Sequence, residues 1–186
     1  MVLSSLLACS TIHHHLVERQ LRTKIGIVIE TGEAREVHPH CLLFGYGADA
    51  VNPYLAYESL FQSLKDGSLK DKNLPDELAI INAYKTGTKK GILKVMAKMG
   101  ISTLHSYKGA QIFEAVGLSN EIIDESFPGT ASRVEGITFE ALFDEQKRRH
   151  YLGYPEEELN VSTLPNPGDF HWRNGGDAHM LSLIHI

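Results

Sequence analysis

The chain has 186 residues, 42% of them hydrophobic and 22% charged, a composition that fits an ordinary globular protein of about one domain. Eighteen Lys and Arg against 23 Asp and Glu leave a formal net charge of -5, which argues against the concentrated basic face of a nucleic-acid binder. No apolar stretch reaches the roughly 20 residues of a membrane helix, and two cysteines, Cys9 and Cys41, cannot form a disulfide framework and fit a reducing compartment, cytoplasmic or organellar.

In chain order, the first segment predicts a helix capped at Ser4 or Ser5 and running to about Gln20, not a signal peptide, because it lacks a basic leader and a small-residue cleavage site. Lys24 to Glu30 is a short continuous apolar run, the pattern of a strand buried on both faces of a parallel sheet. Ala34 to Phe44 predicts a helix with a kink or a late start at Pro39. Ala48 to Val51 predicts a second strand. Asn52-Pro53 then opens a helix that Lys65-Asp66-Gly67 closes. Ser68 to Leu74 is polar and predicts a loop, the clearest internal boundary. Pro75-Asp76-Glu77 opens another helix with acid at its positive end. A further helix is expected after Gly87, with Ile92, Val95, Met96 and Met99 on one face, ended by Gly100. Ile101 to Leu104 reads as a third strand and Ala110 to Val116 as a short helix, with Gly117 past its end. Ser119 and Thr138 are candidate caps of two more helices, the second carrying Phe139, Leu142, Phe143 and Gln146 on one side. Beyond Gly153 periodicity is lost. Strands alternating with helices predict an α/β fold of parallel βα units.

In such folds the loops at strand carboxyl ends face the ligand crevice. That rule selects Glu30 and Thr31, then Asn52, then Ser102, Thr103, His105, Ser106 and Tyr107; in the last group Ser106-Tyr107-Lys108-Gly109 leads into a helix N-terminus that suits an anion. The plain alternative makes Ser106 a cap and leaves Lys108 solvated. Glu33 and Arg35-Glu36 follow the first strand, either as a solvated helix turn or as an interdomain ion pair. His13, His14 and His15 are consecutive, so on a helix they point apart and cannot chelate together; His38 and His40 flank Pro39. No HExxH, CxxC, GxGxxG or Walker spacing is present.

Longer strings carry more information. Thr31 to His38 (TGEAREVH), Gly45 to Leu60 (GYGADAVNPYLAYESL) and Gly91 to Leu118 (GILKVMAKMGISTLHSYKGAQIFEAVGL) resemble the large chain of the glutamate synthases. Gly129 to Gly136 and Leu164 to His179 continue the resemblance, which is collinear over roughly residues 2 to 179.

The resemblance implies a chain with an N-terminal glutaminase domain, a central domain, an FMN-binding (β/α)8 domain and a C-terminal β-helix. In it, ammonia from glutamine is channelled to 2-oxoglutarate and the imine is reduced by FMN. Electrons arrive through an iron–sulfur cluster from NAD(P)H or ferredoxin. It implies that residues 1–66 are the end of the central domain and 67–179 the lead-in to the FMN domain, as partial βα units of a TIM-barrel-like architecture cut at both ends. The glutaminase, most of the FMN barrel and the β-helix would be the missing partners on the same polypeptide. FMN and cluster would not be held by this segment alone. The tunnel or interdomain candidates are then Ser102, His105, Ser106, Tyr107, Glu33, Arg35 and His38, none with a catalytic role.

Departures from the pattern are His38-Pro39-His40, where His-His-aromatic is usual, and Asp177, where Glu is usual. Met180 to Ile186 is apolar and reads as a tail foreign to the family. Two rival functions are a free-standing α/β interaction module and a small metal-dependent hydrolase using the histidines.

Overall fold

A computed structural model describes residues 4–69 and 73–155. The string from Leu164 to His179, with Asp177 in it, and the 180–186 tail lie outside the described residues. Helix α1 (Ser5–Glu18) is followed by a 3-10 turn, Arg22–Lys24, and then by the parallel unit β1 (Val28–Glu30), α2 (Val37–Gly45) and β2 (Ala50–Asn52). Pro39 sits in the first turn of α2, where its missing N–H has no intrahelical partner to lose, so the helix starts two residues before it. Helices α3 (Tyr54–Lys65) and α4 (Glu77–Lys98) form an antiparallel-type hairpin in sequence and pack on each other through a T-shaped Tyr57–Tyr84 pair.

The chain continues with a single turn, α5 (Leu104–Tyr107), and a second parallel unit: β3 (Glu114–Leu118), α6 (Asn120–Ser126) and β4 (Ala131–Ile137). Helix α7 (Phe139–Gly153) ends the described chain, its first turn capped by Thr138, whose Oγ1 accepts from the Ala141 N–H. The fold is α/β, as expected, with two separate two-stranded parallel sheets among the described residues. No helix among the described residues is long and apolar enough to cross a membrane.

Three apolar clusters hold these pieces. Cys9, Ala34, Leu43 and Ala48 join α1 to the β1–α2–β2 unit. Cys41, Met96 and Tyr107 join α2, α4 and α5, with Phe113 packed against them. Ile122, Ile123 and Phe127 of the α6 region meet Leu6 and Leu7 of α1 and Phe139 and Leu142 of α7.

Several elements differ from the sequence expectation, each for a physical reason. Strand β1 is covered on one face only: Ile29 packs inward while Val28 is 68% exposed. Helix α4 is continuous where two helices were expected, because packing against α2 and α3 outweighs the roughly 1 kcal/mol cost of Gly87 in its interior. Residues 101–104 form no strand. Thr103 caps α5 instead, its Oγ1 accepting from the Ser106 N–H, a local bond that competes with extended pairing. The helix expected over 110–116 is replaced by β3, which gains a ladder with β4, a strand not anticipated from its polar alternation. Gly117, expected beyond a helix end, lies inside β3.

Candidate functional site

The strand-end candidates do not converge on one place. Ser102 lines a groove between α2, α3 and α4, and His105 is exposed. Ser106 bonds Thr103, their hydroxyls 2.9 Å apart. Tyr107 is fully buried, its hydroxyl against the Cys41 thiol and without a nitrogen or oxygen partner among the described residues. Burial, and then the neighbouring thiol, push the Tyr107 phenol up. Tyr107 also lines a small cavity of about 60 Å³, with His13, His14, Tyr46 and Phe113.

The other three candidates link elements. Glu33 accepts from both the backbone N–H and the hydroxyl of Ser5, at 2.7 and 2.6 Å, placing a carboxylate on the positive end of α1. The Arg35 carbonyl accepts from the Tyr84 hydroxyl at 3.0 Å, tying the approach to α2 onto α4. His38 meets the edge of Phe113, ring centroids 6.3 Å apart. His40 is buried and its Nδ1 bonds the Glu36 carbonyl at 2.6 Å.

A polar hub that the sequence did not single out lies at the start of both β1 and β2. Asp49 Oδ2 accepts from the Ile27 N–H at 2.7 Å and from Arg22 Nη2 at 2.9 Å, while Oδ1 pairs with Lys108. Arg22 also donates to the Ile25 and Gly47 carbonyls, at 2.6 and 2.7 Å, and to His13 Nδ1 at 2.9 Å. Partial desolvation acts to raise the Asp49 pKa, but bonds from Lys108, the Ile27 N–H and Arg22 outweigh it and hold the carboxyl well below the usual range. Burial, followed by the charges of His14, Arg22 and Lys108, pushes His13 down to about 4, so its Nδ1 is free to accept. Gly47 has φ +116°, and a β-carbon there would sit 2.4 Å from His13 Nδ1, so no other residue fits beneath that ring. Lys108 is therefore an ion-pair partner and not a solvated charge. The one sequence cue was Asp49 itself, a lone acid in the run Gly-Ala-Asp-Ala-Val.

Chemically, the hub is self-satisfied: every charge faces an opposite one or a carbonyl. Both thiols are pushed up by burial, Cys9 to about 11, which makes them poor nucleophiles. No group of three His, Cys, Asp or Glu side chains placed to hold a metal occurs among the described residues. What the geometry does is fasten α1, the two strand starts and the α5 turn to one another.

Comparison with known proteins supplies a family. The sequence profile of the glutamate synthase central domain matches residues 1–119. The chain belongs to the glutamate synthase family. It is 49% identical over 179 residues to glutamate synthase (NADH) of Schizosaccharomyces pombe, covering 96% of this chain but 8% of that protein. With the glutamate synthase (NADPH) large chain of Bacillus subtilis it shares 49% identity over 174 residues, 94% of this chain and 11% of that one. Against ferredoxin-dependent glutamate synthase of Antithamnion sp. the identity is 37% over 183 residues, 95% of this chain and 12% of the relative. The chain thus spans roughly a tenth of the length of the glutamate synthases it matches.

Proposed function

We propose that this chain acts as a positioning segment of a glutamate synthase, an enzyme that makes glutamate from glutamine and 2-oxoglutarate by ammonia channelling and FMN-dependent reduction. The observation that carries this reading is the match of more than nine-tenths of the chain, in one collinear stretch, to a short portion of each relative. The structure supports it in kind: the polar hub locks segments together, its charges satisfied by one another and by backbone groups. An outer sheet face carrying Val116 and Val134, paired across β3 and β4 and 78% and 60% exposed, is the kind of surface that further polypeptide covers.

In this reading residues up to about 119, the stretch that the central-domain profile matches, belong to the central domain, and the α6–β4–α7 region leads toward the next unit. Helices α3 and α4, on either side of the boundary expected near residue 67, pack on each other. The remaining parts of the polypeptide supply the glutaminase, the FMN barrel and the β-helix, and NAD(P)H or ferredoxin supplies electrons. An iron–sulfur cluster takes cysteine thiolates. Cys9 and Cys41 do not fit that task, being buried in separate apolar clusters with their thiols pushed up. Ser102, His105, Ser106 and Tyr107, with Glu33, Arg35 and His38, remain the candidates for tunnel-side or interdomain contacts.

The test is a segment exchange. Replacing the matching stretch of the Bacillus subtilis large chain with these residues is expected to leave glutamate synthesis from glutamine and 2-oxoglutarate intact, while the 186-residue chain alone forms none. A soluble, folded chimera without activity, or turnover by the isolated chain, would overturn the reading.

A further inference from the structure

We infer that the groove between α2, α3 and α4 is a binding site for a small organic anion with a flat apolar body. It encloses about 610 Å³, inside the roughly 300–1,000 Å³ of small-molecule sites. Phe44, Ile92 and Met96 contribute apolar lining, and Tyr57 and Tyr84 contribute aromatic faces with ring centroids 5.2 Å apart. The Tyr84 ring is fixed in place by its hydroxyl bond to the Arg35 carbonyl, so little side-chain freedom remains to be lost on binding.

The charge pattern decides the ligand's sign. Lys85 and Lys89, one helical turn apart on α4, both line the groove, and no acidic side chain among the described residues lines it. Neither lysine has a carboxylate within ion-pair distance among the described residues, in a chain whose net charge is negative. Two unneutralised ammonium groups beside an aromatic wall suit one carboxylate, sulfonate or phosphate attached to a planar body. Val51 and Pro53 put the groove at the carboxyl end of β2, where crevices of parallel sheets take ligands. The second large cavity, about 320 Å³ between α1, α6 and α7, is lined by apolar side chains with only Ser4 and Gln146 as polar members. It provides an internal comparison, since it offers no charge to an anion.

The experiment titrates the isotope-labelled 186-residue chain with 2-naphthoate and with the uncharged 2-naphthamide, reading backbone amide shifts. The carboxylate is expected to move Tyr84, Lys85, Lys89 and Ser102 and to bind about tenfold more tightly than the amide. Lys85→Gln with Lys89→Gln, both exposed positions, should abolish that difference without changing the spectrum elsewhere. Equal affinities, shifts centred on Leu118 and Leu142, or no binding by the folded chain would overturn the proposal. A second measurement does not depend on the isolated chain folding. Photolabelling of the Bacillus subtilis chimera with 4-benzoylbenzoate should mark the peptide over 82–96, protected by naphthoate and not by naphthamide. Failure to label would mean that polypeptide fills the groove, and the proposal would fall while the positional role stood.

Discussion

Gly91 of α4 lies so close to Val37 of α2 that a β-carbon on it would come within 2.3 Å of Val37 Cγ2. Gly87, one turn earlier on the same helix, has nothing within 4 Å of the same position. The two glycines therefore answer oppositely to one substitution. Gly87→Ala should stabilise the chain by about 0.5–1 kcal/mol through helix propensity alone. Gly91→Ala gains the same propensity but must push α2 off α4, and a net loss of about 1–3 kcal/mol is expected. Urea denaturation of the two variants measures both signs, and equal effects would show that the α2–α4 contact is looser than it looks.

Asp49→Asn tests the hub. The substitution removes the negative charge that faces Arg22 and Lys108 and leaves two cations close together, each with a side chain about 15% exposed. A loss of about 2–3 kcal/mol in unfolding free energy is expected. Lys65→Gln removes an exposed pair with Glu77 at 3.7 Å, and should cost less than about 0.5 kcal/mol. A hub variant no worse than the surface variant would remove the hub from the account of stability.

The acid limb of the stability curve has a specific origin. His13 titrates at about 4 in the folded chain against 6.5 for an unperturbed imidazole, chiefly because it is buried. Between those values the unfolded chain binds a proton that the folded chain refuses, so stability is full above about pH 6.5 and falls as pH drops toward 4. Burial lowers His14 in the same sense. Asp49 acts further down, its folded pKa held below the normal 3.8, so its contribution is lost only under more acid conditions. His13→Gln keeps an acceptor near Arg22 and cannot be protonated. Compared with the parent chain, its unfolding free energy should change less between pH 6.5 and 4, by on the order of 2 kcal/mol. Parallel pH profiles for the two proteins would reject this assignment.

The alternation of helix and strand was legible through residue 65 because each segment there announces itself locally: an apolar run at Ile27 to Ile29, a proline at a helix start, a lysine-aspartate-glycine stop. From Ile101 onward it was not, since β3 depends on pairing with β4, whose residues lie 17 to 19 positions further along and whose own sequence, Ala-Ser-Arg-Val-Glu-Gly-Ile, is broken by polar residues. The strand-end rule consequently picked Ser102 to Tyr107 from a strand that does not form, although Ser102 does line the large groove. Thr138 and the Phe139, Leu142, Phe143, Gln146 face were readable, because an N-cap followed by a period of 3.6 needs no distant partner. The hub escaped notice for the opposite reason: Arg22, Asp49 and Lys108 are 27 and 59 residues apart, and no spacing in the chain links them.

Tyr107 separates a packing role from a positioning one. Its ring fills the cluster of Cys41 and Met96, while its hydroxyl is buried with the Cys41 thiol, a weak partner, as its polar neighbour. A buried hydroxyl of that kind costs roughly 1–3 kcal/mol in desolvation, so deleting it relieves a penalty and leaves the ring contacts in place. Tyr107→Phe should therefore leave stability unchanged or raise it by up to about 1 kcal/mol, whereas Tyr107→Ala should lose about 3–5 kcal/mol by opening a cavity. The hydroxyl is then the part of Tyr107 that a tunnel-side or interdomain contact would use. In the Bacillus subtilis chimera, Tyr107→Phe is expected to slow glutamate formation without lowering the melting temperature. Unchanged turnover would strike Tyr107 from the candidates and leave its ring as core alone.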